Sequence, residues 1–303
     1  MEADFIHWLR EHLPPHPTLR SGLGDNAAVL ALAGRSDVVV TTDLVSDGVD
    51  FRLQEVDPSR AGRKALAVNL SDLAAMAAKP LAAVIAIALP RSGCGTATAL
   101  DLAIALYEGM LPLAAEFELA IAGGDTNVHD GPLVIAVTAL GELTTRGPLT
   151  RNGGRPGDKL LVTGHLGGSI LGYHLDFTPR VREALLLHER YELHAGMDIS
   201  DGLALDLSRL AAESGCGAVV HVGEVPISDA ARSLDDPLQH ALGDGEDFEL
   251  LLAASPDAAA AILGDQPLDC PITWVGELVS ELGSWQQSPG GERSPLEPKG
   301  WLH

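Results

Sequence analysis

The apolar positions along the chain repeat with two different periods, and these periods predict strands alternating with helices. Short runs rich in Val, Ala and Leu indicate strands in the first half, at residues 27–32, 37–41, 81–89, 119–122 and 133–143. Segments 58–78 and 96–117 carry apolar residues every three or four positions, which predicts helices. We expect Pro80 to end the first helix. In the second helix Leu100, Ile104, Tyr107 and Leu111 fall on one face.

The second half repeats this style after a polar, glycine-rich stretch at residues 144–157. We place a domain boundary there, which gives domains 1–145 and 146–303. The predicted elements beyond it are strands 159–163, 218–222, 248–253 and 272–279 and helices 202–214 and 256–263. Residues 5–13 predict a short helix that Pro14 stops, and the tail from Ser280 predicts loop. Helices and strands in both halves predict a two-domain α/β or α+β protein.

Composition limits the class of protein. The chain has 303 residues, 46% of them hydrophobic, which suffices for two folded domains. A net charge of −22 argues against nucleic acid and against an anionic membrane as partners. No signal peptide is visible, and the longest apolar run, 81–89, is too short to span a bilayer. The three cysteines form no CxxC unit, so no zinc site is indicated. We expect a cytoplasmic protein.

Six acidic clusters border the apolar runs, each beside glycine, serine or threonine. They occupy residues 24–26, 41–43, 69–72, 123–126, 198–202 and 244–247. A single cluster of this kind is usually a turn or a helix cap. Six in both halves predict carboxylates gathered at one place, where their repulsion requires protons or cations. Mg²⁺ prefers oxygen ligands and normally accompanies a polyphosphate, so we expect a metal-dependent nucleotide enzyme.

Several familiar motifs are present only in part. The GxGxxA pattern at residues 22–27 lacks the preceding strand and following helix of a dinucleotide site. No lysine is followed by Ser or Thr, so there is no Walker A loop. His188 and His194 are spaced wrongly for a zinc protease, and a surface helix is the better interpretation. The glycine-rich segment 164–168 fits a phosphate cradle and an ordinary turn equally well.

With these clusters in order, the sequence resembles the thiamine-monophosphate kinase family. That family is grouped with aminoimidazole ribonucleotide synthetase, selenophosphate synthetase and a hydrogenase-maturation protein. The most specific segments are NLSDLAAM, DISDGL and GEDFEL. Further matching segments are GDNAAVL, TTDLVSDGVDF, GGDT, RNGGRPGDKLLVTG and the terminal GWLH. Together they cover nearly the whole chain.

The resemblance implies an N-terminal domain that pairs with its copy in a homodimer, a C-terminal α/β domain and an ATP cleft lined by both. The positions implied for Mg²⁺ are Asn26, Thr41, Thr42, Asp43, Asp72, Asp125, Asp198 and Asp201. Those implied for ATP are Gly124, Asp125, Arg151 and Ser200, and those for the acceptor substrate are Asp50, Glu246 and Trp301. Asp125 and Arg151 are the expected catalytic residues.

Two positions depart from the family pattern. Asn26 replaces an acid that binds metal, and its amide oxygen can coordinate Mg²⁺ but adds no charge. Asp25 is the alternative ligand. Asp50 replaces a histidine near the substrate phosphate, where an anion disfavours a phosphate unless it binds metal or points away.

The reaction that the resemblance implies moves the γ-phosphoryl group of ATP onto the phosphate of thiamine monophosphate. A phosphate monoester has a second pKa of about 6, so the acceptor is mostly dianionic at pH 7 and needs no general base. The reaction does need charge neutralisation and alignment, which several Mg²⁺ ions and the fork of Arg151 would supply. Glu246 and Trp301 suit the cationic thiazolium.

Other interpretations stay open at this point. The chain could act on another acceptor, as a relative of the aminoimidazole-forming synthetase, or bind nucleotide or thiamine without catalysis. For Asp72 and Asp198 the alternative role is helix capping or dipole compensation. For Trp301 the alternative is a hydrophobic plug that ties down the C-terminus.

Overall fold

The first half of the fold is a mixed sheet. The computed structural model describes residues 8–14, 16–22, 24–32 and 37–301. Within them six strands lie in the order β1-β2-β3-β6-β4-β5, all neighbours antiparallel except β4 and β5. The strands are β1 (Leu19–Ser21), β2 (Ala28–Leu30), β3 (Val38–Ser46), β4 (Ala78–Pro90), β5 (Ala120–His129) and β6 (Val134–Leu143). Strands β3 and β5 are longer than predicted, so Asp43 and Asp125 lie inside strands.

Two helices cover one face of this sheet. They are α1 (Pro58–Ala75) and α2 (Ala99–Glu116). The helices pack closely because a glycine of each faces the backbone of the other. A Cβ on Gly62 would lie 2.1 Å from the carbonyl oxygen of Leu106, and one on Gly109 would lie 1.7 Å from that of Ser59. Glycine at both positions therefore allows the close contact, since any side chain would separate the helices.

The end of α1 differs from the prediction. The helix ends at Ala75, Ala77 adopts a left-handed φ of 49°, and β4 starts at Ala78. Pro80 therefore lies inside β4, beside an irregularity in its pairing with β6. A strand tolerates proline at such a bulge, because no ladder hydrogen bond is lost there. The prediction that Pro80 ends the helix is wrong.

The apolar face that the sequence indicates on α2 is not the face that packs on the sheet. Leu100, Ile104 and Leu111 are 68%, 50% and 54% exposed. The helix instead buries a second apolar row, formed by Leu102, Leu106, Met110 and Leu113. Apolar residues lie on both sides of this helix, so periodicity alone could not decide. The contact at Gly109 selects the buried side, since Leu106 and Met110 flank it.

The second half is a seven-stranded sheet in the order β13-β12-β9-β11-β7-β10-β8. Its strands are β7 (Lys159–Thr163), β8 (Leu193–Asp198), β9 (Gly217–His221), β10 (Leu250–Ala254), β11 (Ile272–Val279), β12 (Ser284–Gln287) and β13 (Arg293–Pro295). Its helices are α3 (Tyr173–Asp176), α4 (Val181–Arg190), α5 (Leu203–Glu213), α6 (Asp229–Arg232), α7 (Pro237–Gly243) and α8 (Pro256–Asp265).

Two sequence predictions fail in this half. Strand β8 was not predicted, and it delivers Asp198 to the junction between the halves. The tail after Ser280 was expected to be loop, but β12 pairs in parallel with β9 and β13 pairs with β12. Few apolar residues mark these two strands, and only β13 lies at the sheet edge. Of the helix predicted at 5–13, residues 5–7 lie outside the described residues and 8–12 are helical.

The two halves share a core, and α1 lies between them. One hydrophobic cluster combines Leu70 and Leu73 of α1 with Phe177 and Phe248 of the second half. Helix α1 contacts α3, α4 and β8 directly. Side chains on α1 can therefore reach residues of both halves.

The opposite face of the first sheet is open. Leu44, Leu81 and Val84 project there and are 61%, 40% and 41% exposed. Strand β5 is an edge strand, and none of its residues is buried. An exposed apolar face beside an unpaired edge is unusual in a protein that acts alone. Within the described ranges, no helix has the length and apolar character needed to cross a membrane.

Candidate active site

A buried acidic cluster lies where the two halves meet. Asp198 at the end of β8 is 3% exposed, and it accepts hydrogen bonds from Asn26 Nδ2 at 2.7 Å and from Ser71 Oγ at 2.6 Å. The Thr41 hydroxyl of β3 donates to the Asp72 carboxylate of α1. Residues from β3, α1 and β8 thus converge although they are far apart in sequence.

The carboxylates of this cluster interact strongly. Burial raises the pKa of Asp72 well above its ordinary value, and the charges of Asp43 and Asp198 raise it further. Burial likewise raises the pKa of Asp198, against the hydrogen bond from Ser71 and the charge of Arg151. The expectation that acidic residues gather at one place holds for these positions. The site therefore favours a proton or a cation.

Arg151 lies at the edge of this cluster, at the start of a short 3₁₀ turn in the linker between the two sheets. Its Nε donates to Asn26 Oδ1 at 2.5 Å, and its backbone N–H donates to Asp25 Oδ1 at 3.2 Å. Ser214 holds the turn by donating to the Arg151 carbonyl at 2.7 Å. Asn26 thus links Arg151 to Asp198, using both ends of its amide.

A second acidic group follows Asp198 in the chain. Arg209 donates to the Asp201 carboxylate and, at 2.9 Å, to Asp206 Oδ1. The other Asp206 oxygen accepts the N–H groups of Asp201 and Gly202, at 2.9 and 3.1 Å, and fixes the turn. Burial raises the pKa of Asp206 to about 7. Asp201 is therefore paired with an arginine.

Trp301 lies beside this turn. Its backbone N–H donates to the Asp201 carbonyl at 2.9 Å, and its side chain is 48% exposed. An indole so exposed is not a hydrophobic plug, so that alternative is unsupported. The aromatic ring remains accessible near Asp201.

The predicted acceptor residues Asp50 and Glu246 meet at a buried lysine. Lys64 Nζ donates to the Asp50 carbonyl at 2.8 Å and to Glu246 Oε1 at 2.5 Å. His174 Nδ1 lies 3.1 Å from Glu246 Oε2. The Asp50 carboxylate turns back to accept the Ser46 N–H at 2.7 Å. Its charge is thus engaged within its own loop.

Gly124 and Asp125 lie away from the acidic cluster of their own chain. Asp43 is level with Gly124 across β3, β6, β4 and β5. That is three strand spacings of about 4.8 Å, or about 14 Å. Asp125 is in register with Leu44, so it lies on the open face and is exposed. Thr42 is on this face too, with its hydroxyl 3.0 Å from that of Thr138.

The glycine-rich segment 164–168 behaves as a structural turn. The N–H of Gly167 donates to Asp247 Oδ1 at 2.9 Å, and that of Gly168 donates to Asp244 Oδ2 at 2.8 Å. These backbone N–H groups already donate to carboxylates, so they are not available to bind a phosphate. Nearby, Ser200 accepts the Glu246 N–H at 2.6 Å through its carbonyl, which joins the predicted ATP and acceptor positions.

The histidines of the incomplete zinc motif do not form one site. His188 lies on α4 but is only 6% exposed, with Nε2 3.1 Å from the Gly147 carbonyl. His194 lies in β8 and pairs with Asp158 at 2.8 Å. The surface-helix interpretation is wrong for His188, because that side of α4 packs on the linker.

Comparison with known proteins supports the resemblance. The models for AIR synthase related protein match residues 24–143 with the N-terminal domain and 168–283 with the C-terminal domain. A thiamine-monophosphate kinase from Rhodopirellula baltica is 42% identical over 100% of this chain and 97% of its own length. The chain belongs to the thiamine-monophosphate kinase family. The predicted family and its two-part α/β (α+β) fold are confirmed.

Solved structures of thiamine-monophosphate kinase relatives agree with this. AaThiL complexed with AMPPCP and TMP superimposes with a TM-score of 0.83 at 26% identity, covering 100% of this chain and 96% of that chain. The enzyme from Stenotrophomonas maltophilia K279a gives a TM-score of 0.74 at 32% identity, covering 96% of both chains.

The acidic cluster offers the ligand types that Mg²⁺ prefers, but its side chains are not arranged around a common point. Its donors are carboxylate, hydroxyl and amide oxygens, and burial, with neighbouring acids adding to it, raises the pKa of Asp72 and of Asp198. Across the described ranges, however, no three His, Cys, Asp or Glu side chains are grouped to hold a metal ion. Hydroxyls, an amide and arginines contact the acids instead. Binding a cation would have to displace these contacts.

Some residues of the site were missed in the sequence. They are Lys64, Ser71, His174 and Arg209. The sequence did offer an indication for Lys64. It lies within the apolar run of α1, where a lysine is either buried with a partner or interrupts the apolar face. Arg209 follows Asp206 by three residues, the spacing of a helical ion pair. His174 gave none, since its partners are distant in sequence, and Ser71 lay in the acidic cluster 69–72 without a role assigned to it.

The first prediction concerns the pH dependence of stability. A raised carboxyl pKa in the folded state costs the wild type stability as pH rises from the ordinary carboxyl range through the raised value. Without divalent cations, Asp72→Asn should therefore be more stable than wild type, by about 1 kcal/mol or more at neutral pH. Urea unfolding in EDTA at about pH 5 and about pH 8 should show this advantage growing with pH.

Asp101→Asn is the matched control. Hydrogen bonds from Thr98 lower the pKa of Asp101, so this change should cost stability at neutral pH and not at low pH. If Asp72→Asn followed the same direction as Asp101→Asn, the account of the acidic cluster would be wrong.

The second prediction concerns Asn26. Asn26→Asp replaces the N–H that donates to Asp198 with a second carboxylate, so we expect a lower melting temperature in EDTA. Mg²⁺ should then raise the melting temperature more than in wild type, and activity should need less free Mg²⁺. Asn152→Asp adds the same charge at an exposed position. It should change neither the melting temperature in EDTA nor the response to Mg²⁺. Equal Mg²⁺ responses in wild type and Asn26→Asp would remove residue 26 from the metal site.

Proposed function

We propose that this protein transfers the γ-phosphoryl group of ATP to the phosphate of thiamine monophosphate, giving thiamine diphosphate and ADP. The full-length match at 42% identity to a thiamine-monophosphate kinase carries the proposal. The buried acidic cluster at the domain junction agrees with it, because the reaction joins two highly charged partners. A related structure, AaThiL, holds AMPPCP and TMP.

The chemistry requires little proton transfer. An oxygen of the acceptor phosphate forms a bond to the γ-phosphorus as the bond from that phosphorus to the β,γ-bridging oxygen breaks, and ADP leaves. The acceptor is already mostly dianionic at pH 7. The protein must therefore align the partners and offset their charge.

Cations held at the acidic cluster would offset the phosphate charge. We assign Mg²⁺ to Asp43, Asp72, Asp198 and Asp201, with Asn26 and Thr41 beside them and Asp125 contributing with Gly124 to the ATP site. The Thr42 side chain lies on the open face, away from these acids. When bound, Mg²⁺ would neutralise phosphate oxygens and hold them in line. Arg151 pairs with phosphate through its guanidinium fork once it leaves Asn26, and Ser200 contacts the nucleotide.

The acceptor end is formed by Glu246 and Trp301, with the loop of Asp50 beside them. A carboxylate and an accessible aromatic face suit a cationic thiazolium. Because the Asp50 carboxylate is turned towards Ser46, it does not oppose the substrate phosphate.

The nucleotide site is proposed to be completed across a homodimer. Gly124 lies about 14 Å from Asp43 of the same chain, by three strand spacings, and the neighbouring Asp125 lies on the open side of the sheet. A second copy packed on this face would cover Leu44, Leu81 and Val84 and the β5 edge. The same packing would bring Asp125 of one copy towards the acids of the other.

The third prediction tests the reaction itself. ADP release should depend on thiamine monophosphate, and thiamine diphosphate should form in equal amount, measured by chromatography. Equal ADP release without thiamine monophosphate would indicate a different acceptor. Absence of turnover at saturating Mg²⁺ and ATP would indicate a binding protein.

The fourth prediction tests the composite site. Asp43→Asn and Asp125→Asn should each abolish turnover while folding normally, because each loses one ligand from a crowded site. In a heterodimer of the two variants, one site would contain both changes and the other neither. Co-expressed variants should thus recover about a quarter of wild-type activity, and about half after purification through two different tags.

The control is the same mixture prepared from separately purified, unmixed dimers, which should stay inactive. A purified heterodimer without activity would show that each site is built within one chain. A monomeric wild-type protein by light scattering would oppose the dimer as well.

A further inference from the structure

Lys64 is among the largest side chains that are completely buried in the described part of the structure. It lies in the middle of α1, is 0% exposed, and its three nearest polar contacts are all on Nζ. They are the Asp50 carbonyl at 2.8 Å, His174 Nδ1 at 3.0 Å and Glu246 Oε1 at 2.5 Å. Lysine is rarely buried, because the loss of hydration must be offset by close partners. The Asp50 carbonyl and the Glu246 carboxylate accept from Lys64 Nζ, and His174 Nδ1 accepts from it in one ring tautomer or donates to Glu246 Oε2 in the other.

These partners come from both halves of the molecule. Asp50 belongs to the loop after β3, while His174 lies on α3 and Glu246 precedes β10. Glu246 adopts a left-handed φ of 55°, which is unfavourable for a residue other than glycine. Contacts to Lys64 and His174 hold it in this conformation. The carboxylate direction is therefore set from outside its own loop.

The Glu246 side chain is accessible from the proposed acceptor site, whereas the Lys64 side chain is not. The Glu246 side chain is 24% exposed, whereas that of Lys64 is 1% exposed. A substrate can touch the carboxylate and cannot touch the ammonium. Burial raises the pKa of Glu246, but the hydrogen bond from His174 and the charge of Lys64 outweigh it, so the pKa lies below its usual value.

We propose that Lys64 is a positioning residue for the acceptor substrate, acting through Glu246. Its ammonium ties the Asp50 loop of the first half to the Glu246 carboxylate of the second. His174 supports the same carboxylate from the other oxygen, as a donor in one ring tautomer. This inference rests on the proposed function, because it assigns the cationic thiamine moiety to Glu246. Lys64 thereby governs acceptor affinity and leaves nucleotide affinity to the acidic cluster.

The test compares Lys64→Met, Glu246→Gln and the double variant. Lys64→Met should raise KM for thiamine monophosphate at least tenfold and leave KM for ATP within about twofold, since only Glu246 is disturbed. The double variant should match Glu246→Gln, because Lys64 has no effect without its carboxylate. Lys159→Met is the matched control. It removes a lysine paired with Glu277 at 2.6 Å in the second sheet and should change neither KM.

Several results would overturn the proposal. They are an unchanged KM for thiamine monophosphate in Lys64→Met, an equal rise in both KM values, or effects that multiply in the double variant. If Lys64→Met fails to fold, Glu246→Gln and the double variant still decide, since the double variant removes both buried charges together. A further tenfold rise in KM between those two would show that Lys64 acts independently of Glu246.

Calorimetry with thiamine monophosphate, in the presence of AMPPCP, separates this proposal from the proposed function. Wild-type binding without turnover would overturn the kinase assignment alone, and weaker binding by Lys64→Met would still support its positioning role. Equal binding by wild type and Lys64→Met would overturn that role alone. If the wild-type protein neither binds nor converts thiamine monophosphate, both fail.

Discussion

The repulsion between buried carboxylates where the two halves meet is the constraint on which the rest of the structure depends. Asp72 and Asp198 come from different halves and lie in one cluster with Asp43. Hydroxyl and amide donors relieve part of this repulsion, and those of Asn26 and Ser71 cross from one half to the other. The contacts that make the acids tolerable therefore also join the two halves.

Arginines supply the remaining positive charge. Arg151 contacts Asn26 and Arg209 contacts Asp201, so each sits on a residue assigned to metal binding. A cation that binds these oxygens must displace a guanidinium group. In the proposed reaction this exchange has a use, because Arg151 is released next to the nucleotide phosphates. Metal binding and phosphate binding would then be linked through one side chain.

The sequence predicted the gathering of acids more successfully than the elements that carry them. The clusters around Asp43, Asp72 and Asp198 do converge, because glycine and hydroxyl residues beside acids reflect local chemistry. Strand β8 and the pairing of the tail with β9 could not be predicted, since they depend on partners more than 50 residues away in sequence.

When a helix is apolar on all sides, the element that packs against it determines which side is buried. The buried side of α2 is set by the contact at Gly109, which no periodicity reveals. The partnership of Lys64 with Glu246 spans 182 positions. A lysine in an apolar run indicates burial, but it does not identify the carboxylate that it meets. The separation of Asp125 from Asp43 likewise follows from strand order alone.

Helix α1 also fixes a distance within the site. Lys64 and Asp72 lie on it eight residues apart, and an α-helix rises 1.5 Å per residue, so about 12 Å separates their backbone positions along the axis. In the proposed reaction Lys64 would lie at the acceptor end and Asp72 at the metal end. The helix would thus fix the distance between the two ends of the site. The glycine contacts between α1 and α2 hold the helix in place on the sheet. The span between the two ends belongs to one rigid element and stays the same whatever the surrounding loops do.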